Sequence, residues 1–294
     1  MQVVVFGKRF KKNDQPWVQQ LFDSLQAEGF STYVYGPYLE QLRTDITFTQ
    51  EVAPFEHHLD FELKKFDFVI TLGGDGTILE AVTLVRDSGV PILGINLGRL
   101  GFLARVEKEH IAATISMMAK GRYELEQRRM LHLESNVPLF GEIPFALNDM
   151  TLLKRDTSSM ITVHTYINGA YLNSYWADGI IVATPTGSTG YSLSCGGPIV
   201  FPGSGNFVIT PVAPHNLNVR PIVISDDSVV SFEIEGRAES FLCTLDSRFE
   251  TISASHQIAV RRHDSFLKLV KLPDIAIMDT LREKLNWGED KRNH

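Results

Sequence analysis

Short apolar runs recur in the first third of the chain at the intervals expected for buried strands. These runs are VVVFG at 3–7, FDFVITL at 66–72 and PILGI at 91–95. Nearly continuous runs of this kind, rich in β-branched residues, are typical of strands that are covered on both faces of a sheet. We therefore predict three buried strands in this part of the chain.

Helical patterns lie between these runs. Apolar residues recur at the spacing of one helix face, after Pro16 and before Gly29, at Val18, Leu21, Phe22 and Leu25. The segments 78–87 and 107–120 carry similar patterns, each followed by a glycine that would end a helix. Because strands that alternate with helices form parallel sheets, we predict an α/β N-terminal domain over residues 1–125.

From about residue 126 the pattern changes to closely spaced strands with turn residues between them. The clearest hairpin joins MITVHTYI to AYLNSYW through Asn168-Gly169, a dipeptide that suits the positive φ angles of a type I′ turn. Later β-rich runs cover residues 228–235, 239–245, 257–262 and 266–271. We predict a mainly β domain over residues 126–275.

The last segment, residues 276–294, returns to helical spacing. Met278, Leu281 and Leu285 align on one side and predict a C-terminal helix that packs on a domain face, followed by a short tail.

Composition and charge argue against two classes of protein, those that bind nucleic acid and those that cross a membrane. The chain has 294 residues and a formal net charge of -7, without a run of Lys or Arg, so a nucleic-acid partner is not expected. Its start has only four consecutive apolar residues, and no apolar run approaches the ~20 residues that cross a bilayer. We expect a cytoplasmic protein with no membrane contact.

The two cysteines, Cys195 and Cys243, are too few for a disulfide framework. Neither has a second Cys or a His at metal-ligand spacing, so we expect two buried thiols and no protein-bound metal site.

The segment Gly73-Gly74-Asp75-Gly76-Thr77 lies between a predicted strand and a predicted helix. Free N–H groups at such a helix start favour phosphate oxygens, and glycines let the backbone approach them closely. A carboxylate is unusual there, and Asp75 would suit a metal ion or a reacting hydroxyl in phosphoryl transfer. The structural alternative is a tight turn with Asp75 as the helix N-cap.

The segment 178–198, DGIIVATPTGSTGYSLSCGGP, combines a buried strand with a loop rich in hydroxyl groups. Such a loop suits an uncharged polar ligand such as a ribose or an amide, although it could also be a plain loop before a helix. Asn148-Asp149 similarly offers donors and acceptors to a sugar or an adenine edge, or is a turn dipeptide.

The GGDGT segment resembles the phosphate loop that NAD kinases share with diacylglycerol and sphingosine kinases and with phosphofructokinases. The stretch 96–103, NLGRLGFL, and the stretch 178–198 resemble NAD kinases specifically, and the resemblance extends over residues 66–287. It implies an NAD kinase-like fold of an α/β domain and a mainly β domain, with NAD in the cleft between them. It also implies ATP with Mg²⁺ or another divalent cation as the phosphoryl donor, and a homo-oligomer, a dimer or a tetramer.

The resemblance also implies roles for individual residues. Asp75 would be catalytic, as a base for the 2′-hydroxyl of NAD's adenosine ribose or as a metal ligand, and Arg99 would meet phosphate or solvent. The phosphate loop would comprise Gly73, Gly74, Asp75, Gly76 and Thr77. The NAD site would comprise Asn148, Asp149, Asp178, Thr189, Gly190, Tyr191, Ser192, Leu193, Ser194 and Arg248, with Asp178 possible from a neighbouring subunit.

Two positions depart from the family pattern. Trp176 stands where many bacterial members have a basic residue, and Asp246-Ser247-Arg248 replaces their Asp-Gly/Ser-Gln. The stretch 211–215, which ends in His215, also resembles the family, and base rates favour a structural role for this histidine.

Two other functions compete with an NAD kinase. A lipid or sugar kinase could carry the same GGDGT loop, but a lipid would require an exposed apolar face where this chain has hydroxyl groups. A non-catalytic NAD or NADPH sensor would gain nothing from a carboxylate beside phosphate. Asp75 therefore favours an enzyme.

Overall fold

The computed structural model describes residues 1–155, 159–273 and 277–287. Its internal contacts divide the chain into two units. The first consists of Met1–Glu126 together with the chain from Leu267 onward, and the second of Gln127–Phe266.

The first unit begins with alternating strands and helices. Its strands are Gln2–Gly7 (β1), Ser31–Tyr35 (β2), Ala53–Phe55 (β3), Phe68–Leu72 (β4), Ile92–Asn96 (β5) and Val106–Glu107 (β6). Its helices are Gln15–Ala27 (α1), Gly36–Asp45 (α2), Asp60–Leu63 (α3), Asp75–Val85 (α4) and Ile111–Ala119 (α5).

The strands of the first unit form a parallel sheet in the order β5-β4-β1-β2-β3, and β6 pairs with β5 in parallel as well. Strands β4 and β5 are buried along their whole length, as their apolar runs predict. The prediction of an α/β unit with a parallel sheet is confirmed. The elements β2, α2, β3 and α3 were not predicted, because only alternate residues of β2 are buried and β3 and α3 are very short.

Helix α1 forms where the sequence predicts it. Pro16 lies in its first turn, and Gly29 follows its end with a φ of 73°. The four apolar residues of its predicted face are all buried, in one core cluster with the apolar residues of β1, β4, β5 and α5. The alternation read from the sequence therefore produces one continuous core in this unit.

The second unit is built mainly of strands. These are Glu124–Ser135 (β7), Phe145–Ala146 (β8), Asp149–Lys154 (β9), Ile161–Ile167 (β10), Ala170–Ala177 (β11), Gly179–Ala183 (β12), Asn206–Val212 (β13), Ile222–Ser225 (β14), Val230–Glu235 (β15), Phe241–Leu245 (β16), Arg248–Ile252 (β17) and Ile258–Lys271 (β18). Two further helices of the described residues are Tyr191–Ser194 (α6) and Ile277–Leu285 (α7), of which α7 lies in the first unit.

The strands of the second unit pair in antiparallel fashion. One set runs in the order β14-β13-β12-β9-β16-β17, and the other in the order β11-β10-β15-β18. Residues of both sets share one apolar cluster, which includes Ile180, Val182, Phe232 and Phe241. The predicted mainly β architecture is confirmed.

Strand β18 differs from the prediction. The runs 257–262 and 266–271 were predicted separately, yet they form one strand. Its residues Ile258–Val260 pair with β15 in the second unit, whereas Leu269 pairs with Ile92 of β5 in the first. The polar residues Arg261–Asp264 interrupt the apolar pattern without ending the strand.

Two further expectations are corrected. Cys195 is only half-buried, because it follows the short helix α6 near the surface, whereas Cys243 is buried in β16 as expected. On α7, Leu281 is buried but Met278 is exposed, and Thr280 takes the buried position beside Leu281. The predicted tail beyond residue 287 lies outside the described residues.

Among residues 1–155, 159–273 and 277–287, no helix is long and apolar enough to cross a bilayer.

The predicted hairpin forms between β10 and β11, and both turn residues have positive φ, 51° at Asn168 and 78° at Gly169. No atom lies within 4 Å of a Cβ built at Gly169, so a substitution there tests backbone conformation alone. We expect Gly169→Ala to lower the free energy of unfolding by about 1 kcal/mol, since a left-handed conformation is unfavourable for alanine.

The matched control is Gly169→Asn, because asparagine tolerates the left-handed region. In urea unfolding followed by circular dichroism, Gly169→Asn should lose less than half of the unfolding free energy that Gly169→Ala loses. Equal stability of the alanine variant and the unchanged protein would contradict this account of the turn.

Candidate functional site

The GGDGT segment connects β4 to α4 in the first unit. Gly73 donates its N–H to the carbonyl of Ile95 at 2.9 Å and has a φ of 149°. A Cβ at Gly73 would lie 2.2 Å from Oγ1 of Thr77, so no larger residue fits without rearrangement.

Helix α4 begins at Asp75, and its N-cap is Gly74, which has no side chain that could cap the helix. The alternative that Asp75 is the N-cap is therefore wrong, because Gly74 holds that position.

The Asp75 carboxylate is held by a second loop. Its Oδ2 accepts the N–H of Phe102 at 2.9 Å, and its Oδ1 accepts the N–H groups of Leu103 at 3.0 Å and Ala104 at 2.9 Å. A Cβ at Gly101 would lie 2.0 Å from Oδ1, so this close approach needs glycine. The structure thus brings together the GGDGT segment and the 96–103 stretch, which the sequence predicts as separate motifs.

The loop that follows β5 is braced by the buried side chain of Asn96. The Asn96 amide donates to the carbonyl of Arg99, and its Oδ1 accepts the N–H of Gly98 at 2.8 Å. These contacts make a tight turn that leads directly to the N–H groups around Asp75. The Arg99 side chain is exposed at the surface, which leaves both of its predicted roles, phosphate or solvent, open.

In the second unit a comparable arrangement surrounds Asp246, in the turn between β16 and β17. Its carboxylate accepts the N–H groups of Leu147, Asn148 and Asp149 at 2.9, 2.7 and 3.2 Å. The Asp246 N–H donates in return to the carbonyl of Asp149 at 3.0 Å. Asp246 also has a φ of 54°, which is uncommon for a residue with a side chain.

Sequence reasoning missed this role of Asp246. The available signal was an aspartate directly after the β-rich run 239–245, but its partners lie 97–99 residues away. Asp246 therefore holds the backbone of Asn148 and Asp149 across a sequence separation that no local pattern can predict.

Asp149 is buried beside Asp246. Burial and, to a smaller extent, the negative charge of Asp246 together raise the pKa of Asp149 to about 7. Burial also raises the pKa of Asp246, while the three N–H bonds and Arg248 oppose that increase. When Asp149 holds a proton near neutral pH, its carboxyl can donate as well as accept a hydrogen bond.

Asn148 carries a further unused polar group. Its Oδ1 is buried and has no hydrogen-bond partner among the residues that the structure describes. Since buried polar atoms are normally paired, this oxygen is available to a ligand donor.

Asp149, Asp178 and Tyr191 lie near one another in the second unit. Burial raises the pKa of Tyr191, and the negative charges of Asp178 and Asp149 contribute to the same increase. A Cβ at Gly190 would lie 3.9 Å from Oδ2 of Asp149. The structure therefore gathers three residues that the sequence places far apart, and Tyr191 keeps 42% of its surface exposed there. Asp178 also forms an ion pair with Lys154 at 2.6 Å.

The hydroxyl groups of the 184–194 loop mostly bind the protein itself. Thr184 donates to the carbonyl of Leu147 at 2.6 Å, and Ser188 donates to the carbonyl of Pro185 at 2.7 Å. The Ser192 hydroxyl is buried against Oγ1 of Thr210 at 2.8 Å. Thr189 and Leu193 are half-buried, and Ser194 is exposed. The predicted contacts of this loop with a ligand stay a prediction, and the hydroxyl of Ser192 is committed inside the fold.

Arg248 holds the segment before Asn148. Its guanidinium donates to the carbonyl of Ile143 at 2.5 Å and to the carbonyl of Phe145, and it lies 5.7 Å from the ring of Phe140. Burial lowers the pKa of Arg248, while the charge of Asp246 opposes this change. The contacts shown for Arg248 therefore hold the backbone of Ile143 and Phe145. Its predicted contact with a ligand stays a prediction.

Trp176 and His215 lie together on the surface of the second unit. Their rings are 4.2 Å apart at an angle of 40°, and the N–H of His215 donates to the carbonyl of Trp176 at 2.9 Å. Trp176 is 49% exposed, and it lies two residues before Asp178. Trp176 thus presents an exposed aromatic ring at the position where many bacterial family members have a basic residue.

Two family models match the chain. Residues 3–123 match the ATP-NAD kinase N-terminal domain, and residues 147–272 match the ATP-NAD kinase C-terminal domain. Among curated relatives, the NAD kinase of Cytophaga hutchinsonii is 47% identical over 98% of both chains. The NAD kinase of Flavobacterium psychrophilum is 42% identical over the full length of both, and that of Bacteroides fragilis is 42% identical over 99% of this chain and 100% of the relative.

Solved structures share the fold. Yeast NADH kinase, complexed with NADH, superposes with a TM-score of 0.89 at 22% identity, covering 100% of this chain and 89% of that chain. An NAD kinase from Archaeoglobus fulgidus in complex with ATP gives a TM-score of 0.73 at 24% identity, covering 97% of this chain and 99% of that chain.

The raised pKa of Asp149 makes a prediction about stability. Between the ordinary aspartate pKa near 3.8 and the folded value of about 7, the folded state retains a proton that the unfolded chain releases. Stability therefore decreases as the pH rises through this window and becomes level above it. We expect Asp149→Asn to gain stability relative to the unchanged protein from pH 4 to pH 7, by up to ~1.4 kcal/mol per pH unit.

The measurement is urea unfolding of both proteins at half-unit pH steps. Asp23→Asn, at an exposed position on α1, serves as the control and should show no such trend. A stability difference that stays constant between pH 4 and pH 7 would show that Asp149 does not carry the shifted proton.

Proposed function

Since the chain belongs to the NAD kinase family and is an NAD kinase, we propose that Asp75 receives the proton of the adenosine ribose 2′-hydroxyl of NAD while that hydroxyl attacks the γ-phosphorus of ATP. The observation that carries this assignment is the carboxylate itself. Three N–H groups orient it at the start of α4, and none of its contacts is needed to cap that helix.

The donor side of the proposal rests on the GGDGT segment. The first turn of α4 presents backbone N–H groups and the positive end of the helix dipole, both of which favour phosphate oxygens. Gly74 and Gly76 have no atom within 4 Å of a built Cβ, so a ligand can approach the backbone at these two positions. Gly73, Gly74, Gly76 and Thr77 are thus proposed to hold the triphosphate.

A carboxylate is a weak base and cannot deprotonate an alcohol in advance. The proton therefore moves late, after the bond to the leaving phosphate has largely broken. In such a loose transition state, orientation and charge neutralisation lower the barrier more than base strength does. A carboxylate fixed by three hydrogen bonds suits this task, because it needs no rearrangement when the hydroxyl arrives.

The charge of the triphosphate needs a cation, and neither glycine-rich loop contains a lysine. Both oxygens of Asp75 already accept N–H groups, so this carboxylate is a poor centre for a complete protein-bound metal site. We propose that Mg²⁺ enters as part of the ATP substrate, where it neutralises the phosphate oxygens.

The acceptor side rests on residues of the second unit. Asn148 offers an unpaired buried oxygen, and Asp149 offers a carboxyl that can donate or accept. Tyr191 adds an exposed ring near Asp149 and Asp178. We propose that these four residues bind NAD, with the loop from Thr189 to Ser194 beside them, and that Arg248 acts by holding the backbone at 143–145.

The alternatives are not favoured. A lipid or sugar kinase of the same superfamily conflicts with family matches in both halves of the chain. A non-catalytic sensor leaves the oriented carboxylate of Asp75 without a purpose. The homo-oligomeric state and the cytoplasmic location remain predictions.

The proposal predicts that the purified protein forms NADP from NAD and ATP only when a divalent cation is present. A coupled NADP-specific dehydrogenase would measure the product, and EDTA should abolish its formation while excess Mg²⁺ restores it. Undiminished NADP formation in EDTA would remove Mg²⁺ from the proposal. Binding of NAD without any NADP formation would favour the sensor.

A second prediction concerns Asp75→Asn. The amide keeps the size of the side chain but loses the charge, the proton-accepting oxygen and one of the two hydrogen-bond acceptors. We expect kcat to decrease by ~10²-fold or more, the usual scale for loss of a general base.

Two further variants sharpen this test. Gly101→Ala leaves Asp75 chemically intact but places a Cβ 2.0 Å from its Oδ1, so it should also lower kcat. Asp87→Asn, in the exposed turn that follows α4, should retain the kcat of the unchanged protein. A folded Asp75→Asn protein with unchanged kcat would reject the catalytic role.

A further inference from the structure

The first unit contains a cavity of about 390 Å³ that the proposed chemistry does not use. Its walls come from α5, from α7 and from the loop after β5. Its volume falls within the range of about 300–1,000 Å³ that small-molecule sites occupy. The apolar part of its lining comprises Leu100, Val106, Ala113, Met117 and Leu272.

One wall of this cavity carries an unpaired polar group. Thr114 is completely buried on α5, and within the described parts of the chain no group hydrogen-bonds its Oγ1. A buried hydroxyl without a partner is unfavourable in an apolar wall. The cavity therefore offers a hydrogen bond to an occupant at a position that is otherwise apolar.

The charged residues around the cavity favour a cationic occupant. Three carboxylates line it, those of Glu107, Asp279 and Glu283. The Arg105 guanidinium is already paired with Glu126 at 2.6 Å, and the imidazole of His110 lies 3.9 Å from Glu107.

The basic residues of α7 do not reverse this balance. Arg282 is paired with Asp279, and Lys284 lies 5.7 Å from the ring of Phe102. Since Arg282 neutralises Asp279, Glu107 and Glu283 are the two carboxylates of the rim that face a cationic occupant.

The cavity is also connected to Asp75. Leu100 and Arg105, which line the cavity, flank the loop whose N–H groups hold the Asp75 carboxylate. The Arg105 Nε donates to the carbonyl of Phe102 at 3.1 Å, and the N–H of Phe102 donates to Asp75 at 2.9 Å. An occupant that packs against Leu100 and Arg105 would shift this loop and with it the carboxylate.

We propose that this cavity is a regulatory site for a small arylalkylamine with a polar group at its far end. The ammonium group faces the carboxylates of the rim, the ring packs among the apolar residues, and the polar end hydrogen-bonds Thr114. Occupancy shifts the 100–105 loop, which orients Asp75, and thereby changes kcat. The binding part stands independently, whereas the effect on kcat rests on the proposed function.

Calorimetric titration with three probes tests the chemical class. Tyramine has the ammonium group and a phenol, phenethylamine lacks the phenol, and 4-hydroxyphenylacetate reverses the charge. We expect tyramine to bind most tightly, phenethylamine about threefold to tenfold more weakly, and 4-hydroxyphenylacetate not measurably. Absence of binding by both amines, or equal binding of the acid, would overturn the proposal.

Variants then locate the site. Thr114→Val should remove the advantage of tyramine over phenethylamine, and Glu283→Gln should weaken both amines by about threefold or more. Ala113 is an exposed residue at the cavity, so Ala113→Phe should obstruct it without disturbing the core and should abolish binding. The exposed Glu62→Gln is the matched control and should bind as the unchanged protein does. Undiminished binding by Ala113→Phe would place the amine elsewhere.

The regulatory part has its own measurement. Saturating tyramine should change kcat of the unchanged protein by about twofold or more and should leave kcat of Ala113→Phe unaffected. Binding without any change in kcat would reject regulation while retaining the site. A protein that binds tyramine but forms no NADP would instead contradict the proposed function.

Discussion

Capture of an aspartate carboxylate by three successive backbone N–H groups is the interaction on which both candidate sites depend. In the first unit the carboxylate of Asp75 is bound by a loop 27–29 residues further along the chain. In the second, the carboxylate of Asp246 binds a segment 97–99 residues earlier. Hydrogen bonds with an ionised acceptor are stronger than neutral ones, so each cluster fixes a loop that would otherwise be free to move.

The two clusters serve different ends. At Asp75 the captured group is itself the proposed functional group, and the loop determines its orientation. At Asp246 the captured group orders its neighbours, so that Asn148 and Asp149 are presented by backbone that Asp246 and Arg248 hold from two sides. The charge of Asp246 also contributes to the altered pKa of Asp149. Asp246 therefore both holds the backbone of Asn148 and Asp149 and contributes to the raised pKa of Asp149.

Much of this organisation is visible in the sequence where it is local. The buried strands β1, β4 and β5, helix α1, the Asn168-Gly169 hairpin and the GGDGT turn all follow from short-range patterns. Contacts between distant segments were not predictable in this way. The capture of Asp75, the role of Asp246 and the pairing of Trp176 with His215 each join residues whose relation is created only by the fold. Strand β18 was divided in two by prediction because its polar middle hides its continuity.

The raised pKa of Asp149 has a thermodynamic consequence for a ligand that binds beside it. A ligand that stabilises either form of the carboxyl will release a proton to the buffer or take one up when it binds near neutral pH. The heat measured on binding would then include the ionisation heat of the buffer. Titrations in phosphate and in Tris would give different apparent enthalpies for the same complex, and their difference would count the protons exchanged.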